Sequence, residues 1–321
     1  MEYIYLILAL AGIVFGADYL VAGSVSIARK YKVSDFVIGA AIVGVGTSMP
    51  EFVVSVIGAV SGNADVAIGN VVGSNIFNVL GILGLTALLF PIAVDKDNMR
   101  FDIPLCIGLS VLLMLMAMNF FNGTTATIGR VDGIVLLAIF AGYMWYSFYR
   151  DRKKSDAASS QKLNETDIHD EGPLWKAFLK VGGGLALLIF SCDVFVDNAV
   201  SVAKSFGVND AFISLTLIAC GTSLPELAAS MAAAIKKNTQ MALGNIIGSN
   251  IFNISLILGI GSQVMPLTSS GITVTDYLVM IAAVAVTLLC GFKGKISRLS
   301  GALMFVCFIA YTWYLLCNQI S

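Results

Sequence analysis

Residues 46–51 read GTSMPE and residues 69–78 read GNVVGSNIFN; residues 221–226 read GTSLPE and residues 244–253 read GNIIGSNIFN. Both pairs are offset by 175 positions, and the same offset carries Asp18 onto Asp193, Ser26 onto Ser201 and Asp35 onto Asp210. An ungapped alignment of 44–85 with 219–260 holds 20 identities in 42 positions. Self-similarity of this extent is an internal duplication, and it divides the chain into two equivalent halves.

The composition says where the halves reside. Of 321 residues, 58% are hydrophobic and only 12% charged, against about a quarter charged in an average soluble domain. This excludes a soluble enzyme, a disordered tail and a nucleic-acid binder. The 19 basic and 20 acidic residues leave no bulk charge for an acidic or basic partner. The six cysteines lie in apolar stretches without a C-x-x-C, so they read as core residues. With no Lys or Arg before Arg29, no secretory signal is expected, and the first apolar segment reads as a membrane span.

A bilayer-crossing helix needs roughly 20 apolar residues. Ten such segments are expected near 3–25, 35–60, 65–90, 102–121, 128–148, 174–202, 209–235, 239–265, 272–291 and 298–317. With that numbering, 17 of the 19 basic residues fall in the odd-numbered loops, and only Arg130 and Lys204 in the even ones. The odd loops are therefore expected in the cytoplasm and both termini outside. Residues 150–173, RDRKKSDAASSQKLNETDIHDEGP, read as a flexible cytoplasmic linker, with the sole histidine, His169, solvated within it. The organisation is then a five-span repeat over 1–149, the linker, and a five-span repeat over 174–321. Five is odd, so the second half enters from the opposite side. The expected fold is all-α and multi-pass, two inverted five-helix repeats with matched motifs facing one another, as in many secondary transporters.

Glu51 and Glu226 lie deep in apolar segments, and the Lys and Arg residues stand in the loops or toward span ends, away from them. An ionisable group there is costly unless it serves a function, and its natural partner is a cation or a proton. Thr47 and Ser48 precede Glu51 by four and three residues, as Thr222 and Ser223 precede Glu226; in a helix these share a face. Ser74 with Asn78, and Ser249 with Asn253, repeat the i, i+4 spacing. Every side chain in this set offers oxygen, which suits calcium or sodium rather than zinc or copper. Pro50 and Pro225 cannot donate to the carbonyls of Gly46 and Gly221, and the turn before, at Gly44 and Ala219, is expected to loosen with them. Gly69 with Gly73 and Gly244 with Gly248 are G-x-x-x-G pairs that allow close helix approach. Asp18 and Asp193 fall toward span ends and read as structural or gating residues.

These residues resemble the sodium/calcium exchangers of the calcium/cation antiporter superfamily, over essentially the whole chain. The resemblance is to prokaryotic members without calcium-sensing loop domains. Proton-coupled calcium exchangers are less similar, because their signature carries an acid after Gly-Asn where this chain has Gly69-Asn70-Val71-Val72-Gly73. The resemblance implies Glu51 and Glu226 as central carboxylates shared by calcium and sodium, with Asn78 and Asn253 completing the ring. It implies flanking sodium sites at Thr47, Ser48, Ser74, Thr222, Ser223 and Ser249, with the carbonyls of Gly44 and Ala219. Potassium-dependent relatives carry Asp at the position of Asn253; here both ring positions are amides, which implies no potassium requirement.

The expected activity is electrogenic exchange of calcium for sodium by alternating access. No cofactor and no nucleic acid is implied; the partners are the two transported ions and membrane lipid. One chain holds both repeats and can work as a monomer in the cell's inner (plasma) membrane. The rivals are proton/calcium exchange through the same glutamates, a passive cation channel and an intramembrane hydrolase. The last lacks any nucleophile–histidine arrangement.

Overall fold

The computed structural model describes residues 2–118, 127–161, 173–205, 221–268 and 271–320, and the chain there is almost entirely helical. The described helices are α1 (Glu2–Tyr31), α2 (Asp35–Thr47), α3 (Met49–Val60), α4 (Ala64–Leu89), α5 (Asn98–Ala117), α6 (Arg130–Gln161), α7 (Leu174–Ser205), α8 (Leu224–Ile235), α9 (Thr239–Val264), α10 (Val274–Gly291) and α11 (Arg298–Ile320). Among the described residues, eight are long and apolar enough to cross a membrane, and α2 with α3 makes a ninth when counted as one bent span. Helix α8 belongs to the seventh expected span. Residues 206–220, Ala219 among them, lie outside the described residues.

The second expected span is not one straight helix. Its two parts, α2 and α3, bend by 50° about Ser48. Pro50 stands in the first turn of α3, where its missing N–H is tolerated and its ring would clash with any helix continuing from the preceding turn. Wide π-type turns interrupt α2 at Gly39–Gly44, α4 at Phe77–Leu83 and α9 at Asn253–Ile257. Such turns re-aim side chains and recur at functional sites. Asn78 and Asn253 both sit in one.

Helices α4 and α9 form the centre, with 78% and 89% of their most apolar stretches buried against 11% for α11. Leu299, Leu303, Val306, Ile309 and Trp313 of α11 are exposed, a surface suited to lipid. The halves interlock crosswise. Helix α11 crosses α4 where a Cβ on Gly301 would fall 2.7 Å from the Gly84 carbonyl oxygen. Helix α6 crosses α9 where a Cβ on Gly133 would fall 2.8 Å from the Gly259 carbonyl oxygen. Gly84 and Gly259 are repeat mates. Helices α1 and α7 pack backbone to backbone at Gly16 and Gly184, where each absent Cβ would lie within 3 Å of the other's carbonyl oxygen. Two short antiparallel pairs, Ile92–Ala93 with Lys295–Ile296 and Thr127–Ile128 with Leu267–Thr268, also join one half to the other.

The expected linker at 150–173 begins as helix, because α6 continues to Gln161. Its first residues are docked rather than solvated. The Arg150 guanidinium donates to both carboxylate oxygens of Asp102 at 3.1 and 3.3 Å and lies over the rings of Phe101 and Tyr146. Asp151 Oδ2 accepts from the Ser34 backbone N–H at 2.7 Å, beside the start of α2. Residues 162–172, with His169, lie outside the described residues. Asp102 is fully buried, so removing its cation leaves a carboxylate without charge compensation. Arg150→Met is expected to lower stability by about 3 kcal/mol, read as a lower melting temperature of the detergent-solubilised protein. Adding Asp102→Asn is expected to recover most of that loss.

Candidate functional site

The repeated motifs meet where four segments cross. Ser48 and Glu51 stand at the junction of α2 and α3, and Ser223 and Glu226 at the start of α8. Ser74 and Asn78 lie in α4, Ser249 and Asn253 in α9. All eight are buried, and both glutamates have 0% exposure.

Each glutamate is held by the other half. Ser48 Oγ donates to Glu226 Oε1 at 2.8 Å, and Ser223 Oγ donates to Glu51 Oε1 at 2.8 Å. The i, i+3 spacing placed Ser48 and Glu51 on one helix face. The bend at Ser48 takes that serine off the α3 face, and its hydroxyl reaches across the duplication instead. The glutamate backbones are tied symmetrically too. Asn70 Nδ2 donates to the Glu51 carbonyl at 3.2 Å and to Ser55 Oγ at 3.0 Å. Its mate Asn245 donates to the Glu226 carbonyl at 3.1 Å and to Ser230 Oγ at 2.8 Å.

The ring amides are paired across the halves as well. Asn78 Nδ2 donates to Asn250 Oδ1, and Asn253 Nδ2 to Asn75 Oδ1, each at 3.1 Å. What remains is a set of buried oxygens with no hydrogen-bond donor among the described residues: Glu51 Oε2, Glu226 Oε2, Asn78 Oδ1 and Asn253 Oδ1. Buried acceptors without donors, two of these four on carboxylates, are costly.

The flanking residues differ in their partners. Thr47 Oγ1 lies 3.0 Å from the Val43 carbonyl and 3.2 Å from Asn245 Oδ1. Ser249 Oγ donates to the Gly44 carbonyl at 3.2 Å, and that same oxygen accepts from the Ser48 backbone N–H at 3.1 Å. The loosening expected at Gly44 thus leaves a carbonyl that is bonded from both sides. Thr222 Oγ1 has no hydrogen-bond partner among the described residues. Asp18 is drawn to another element, pairing with Lys236 at 2.5 Å just beyond the end of α8, while Asp193 is exposed on α7.

Gly244 and Gly248 are what let α9 approach so closely. A Cβ on Gly244 would lie 2.1 Å from the Phe36 carbonyl oxygen, and one on Gly248 would lie 2.5 Å from Ala40 Cα. The α2 backbone therefore rests directly on α9 beside Gly44.

Sequence reasoning singled out the first residues of this cluster and missed their supports: Asn70, Asn75 and Ser55, with mates Asn245, Asn250 and Ser230. The signal was present. All six obey the same offset of 175, and Ser55 and Ser230 stand one helical turn after each glutamate.

Comparisons with known proteins bear on the family and the fold. The family model described as sodium/calcium exchanger protein matches residues 1–149 and 176–317. The chain is 37% identical over 317 residues to the putative antiporter CaxA of Alkalimonas amylolytica, covering 97% of this chain and 98% of that one. It is 35% identical over 293 residues to the inner membrane protein YrbG of Escherichia coli (strain K12), covering 89% and 87%. A solved structure of the sodium-calcium exchanger NCX_Mj, soaked with zero sodium and calcium, superposes with a TM-score of 0.82 at 30% identity, covering 98% of each chain. The protein belongs to the sodium/calcium exchanger family.

Proposed function

We propose that the protein is an electrogenic sodium/calcium antiporter of the inner membrane, built as ten spans in two inverted repeats with both termini outside. The observation that carries the reading is the set of four orphaned oxygens on Glu51, Glu226, Asn78 and Asn253. The transported calcium ion takes these oxygens. Two formal negative charges match one divalent cation, which is also why no potassium is required. Names among the relatives support the reading: an antiporter, an inner membrane protein and a sodium-calcium exchanger.

Sodium ions use the same carboxylates together with the flanking hydroxyls. A sodium ion beside Ser249 takes the place of the hydrogen bond between its hydroxyl and the Gly44 carbonyl, the hydroxyl keeping its proton and turning away, so that Gly44, Thr47 and Ser249 coordinate the ion, with Ser48 bordering. Ser74, Thr222, Ser223 and Ala219 form the mate site. Filling by either ion neutralises Glu51 and Glu226, so the loaded protein can switch between faces. The unloaded protein holds bare carboxylates in a low dielectric and resists switching. The chain works as a monomer, with no cofactor and no covalent chemistry.

The test is calcium uptake into proteoliposomes loaded with sodium, potassium or choline. Sodium-loaded vesicles are expected to take up calcium; potassium is expected neither to replace sodium nor to stimulate. With about three sodium ions leaving per calcium ion entering, one positive charge leaves, so an inside-positive potential accelerates uptake. Uptake driven only by a pH gradient would replace sodium by protons. Uptake without any counter-ion would make the protein a channel.

A further inference from the structure

The ring amides Asn78 and Asn253 present a particular problem. An amide has an acceptor end and a donor end of nearly the same shape. With the oxygen inward it binds a cation; with the NH2 group inward it repels one. Something must set the direction, and the four orphaned oxygens do not do so themselves.

The direction follows from two groups that cannot reverse. Asn75 Nδ2 lies 3.3 Å from the backbone carbonyl of Asn250, and Asn250 Nδ2 lies 3.2 Å from the backbone carbonyl of Asn75. A carbonyl oxygen only accepts, so each of these amides must turn its NH2 group toward the opposite backbone. Their oxygens then have one direction left, toward the ring amide of the other half. Asn75 Oδ1 accepts from Asn253 Nδ2, and Asn250 Oδ1 accepts from Asn78 Nδ2. With its nitrogen held by the supporting asparagine, each ring amide keeps its oxygen at the opposite end, where it meets no donor among the described residues. Both supporting residues are buried, with 1% and 0% exposure, so water does not compete.

We propose that Asn75 and Asn250 are positioning residues that fix the polarity of Asn253 and Asn78, each acting on the amide of the opposite repeat. This rests on the ion placement proposed above. The four asparagines form a closed, self-consistent circuit anchored on two peptide carbonyls, and a cation meets two carbonyl oxygens already turned toward it. Reorienting the ring amides on binding would consume affinity, and preorganisation avoids that cost.

The experiment is a double-mutant cycle read as calcium binding, through the calcium concentration that half-saturates the detergent-purified protein in equilibrium dialysis. Packing damage lowers the melting temperature without moving that concentration. Asn253→Ala and Asn75→Ala are each expected to raise it about tenfold, in the range of one lost charge-facing hydrogen bond. In an Asn253→Ala background, Asn75→Ala is expected to add less than twofold. The mate cycle, Asn78→Ala with Asn250→Ala, is expected to behave alike and serves if either first-cycle variant fails to fold. Additive effects, or an Asn75→Ala midpoint within twofold of the parent while that of Asn253→Ala rises, overturn the positioning role and leave the ion placement standing. An unchanged midpoint in Asn253→Ala overturns the ion placement and the positioning role together.

Discussion

Glu51→Gln and Glu226→Gln are each expected to abolish sodium-driven calcium uptake, by about a hundredfold or more. The size follows from what is removed. Among the described residues, each glutamate contributes one of only two formal charges at the crossing of α2, α3, α4, α8 and α9, and one of its oxygens has no donor. Deleting one member of a buried charge pair costs about 3–5 kcal/mol, a factor of roughly 10² to 10³ in binding. Glutamine keeps the shape and can still accept from Ser223 Oγ or Ser48 Oγ, so the loss reports charge rather than packing. The same substitutions have an opposite effect on the ion-free protein. With calcium chelated and sodium replaced by choline, the parent buries two carboxylates that no transported cation compensates, whereas either variant buries one. The variants are therefore expected to melt above the parent in chelator and below it in millimolar calcium. A crossing of the two melting curves is the result to look for. Equal stabilisation of parent and variants by calcium would mean the ion binds elsewhere.

The duplication made much of this site legible in the sequence, and the limits of that reading are physical. An offset of 175 states that Ser48 and Ser223 are equivalent; it does not state that each serine crosses to the other's glutamate. That depends on the bend at Ser48, where a single proline converts a shared helix face into a contact between halves. Asn75 and Asn250 stood in plain view within both motifs, yet a helix-face argument favours Asn78 and Asn253 with Ser74 and Ser249 at i, i+4. The residue three positions before each ring amide points to the facing helix, and its value emerges only when the two helices are side by side. Composition likewise marked 150–173 as polar and mixed in charge. It could not show that Asp102 and Ser34 wait for Arg150 and Asp151, contacts more than 45 and 115 residues apart in sequence. Span lengths, by contrast, follow from hydrophobic run length alone, and α4, α9, α10 and α11 begin and end close to the expected positions.

Gly248→Val and Gly244→Val are expected to yield no folded protein. On α9 these glycines face the α2 backbone, not side chains that could move aside. The nearest atoms to an added Cβ are Ala40 Cα at 2.5 Å and the Phe36 carbonyl oxygen at 2.1 Å. Backbone in a buried helix yields only by moving the whole helix, so the cost exceeds the 1–3 kcal/mol of ordinary overpacking, and valine adds two further carbons. The expected readout is loss of the monodisperse peak in size-exclusion chromatography after detergent extraction. Gly142→Ala on α6, where no described heavy atom lies within 4 Å of the added carbon, is expected to elute like the parent. Gly248→Ala is the informative intermediate. One carbon pushes α2 from α9 at the level where Ser249 Oγ meets the Gly44 carbonyl and Thr47 Oγ1 meets Asn245 Oδ1. Glu51, Glu226 and the four-asparagine circuit are held by other contacts. In the proposed exchanger, Gly248→Ala should therefore weaken sodium activation of transport several-fold while calcium half-saturation shifts less than twofold. Equal loss of both would mean that the α2–α9 contact supports the site as a whole rather than its sodium-binding flank.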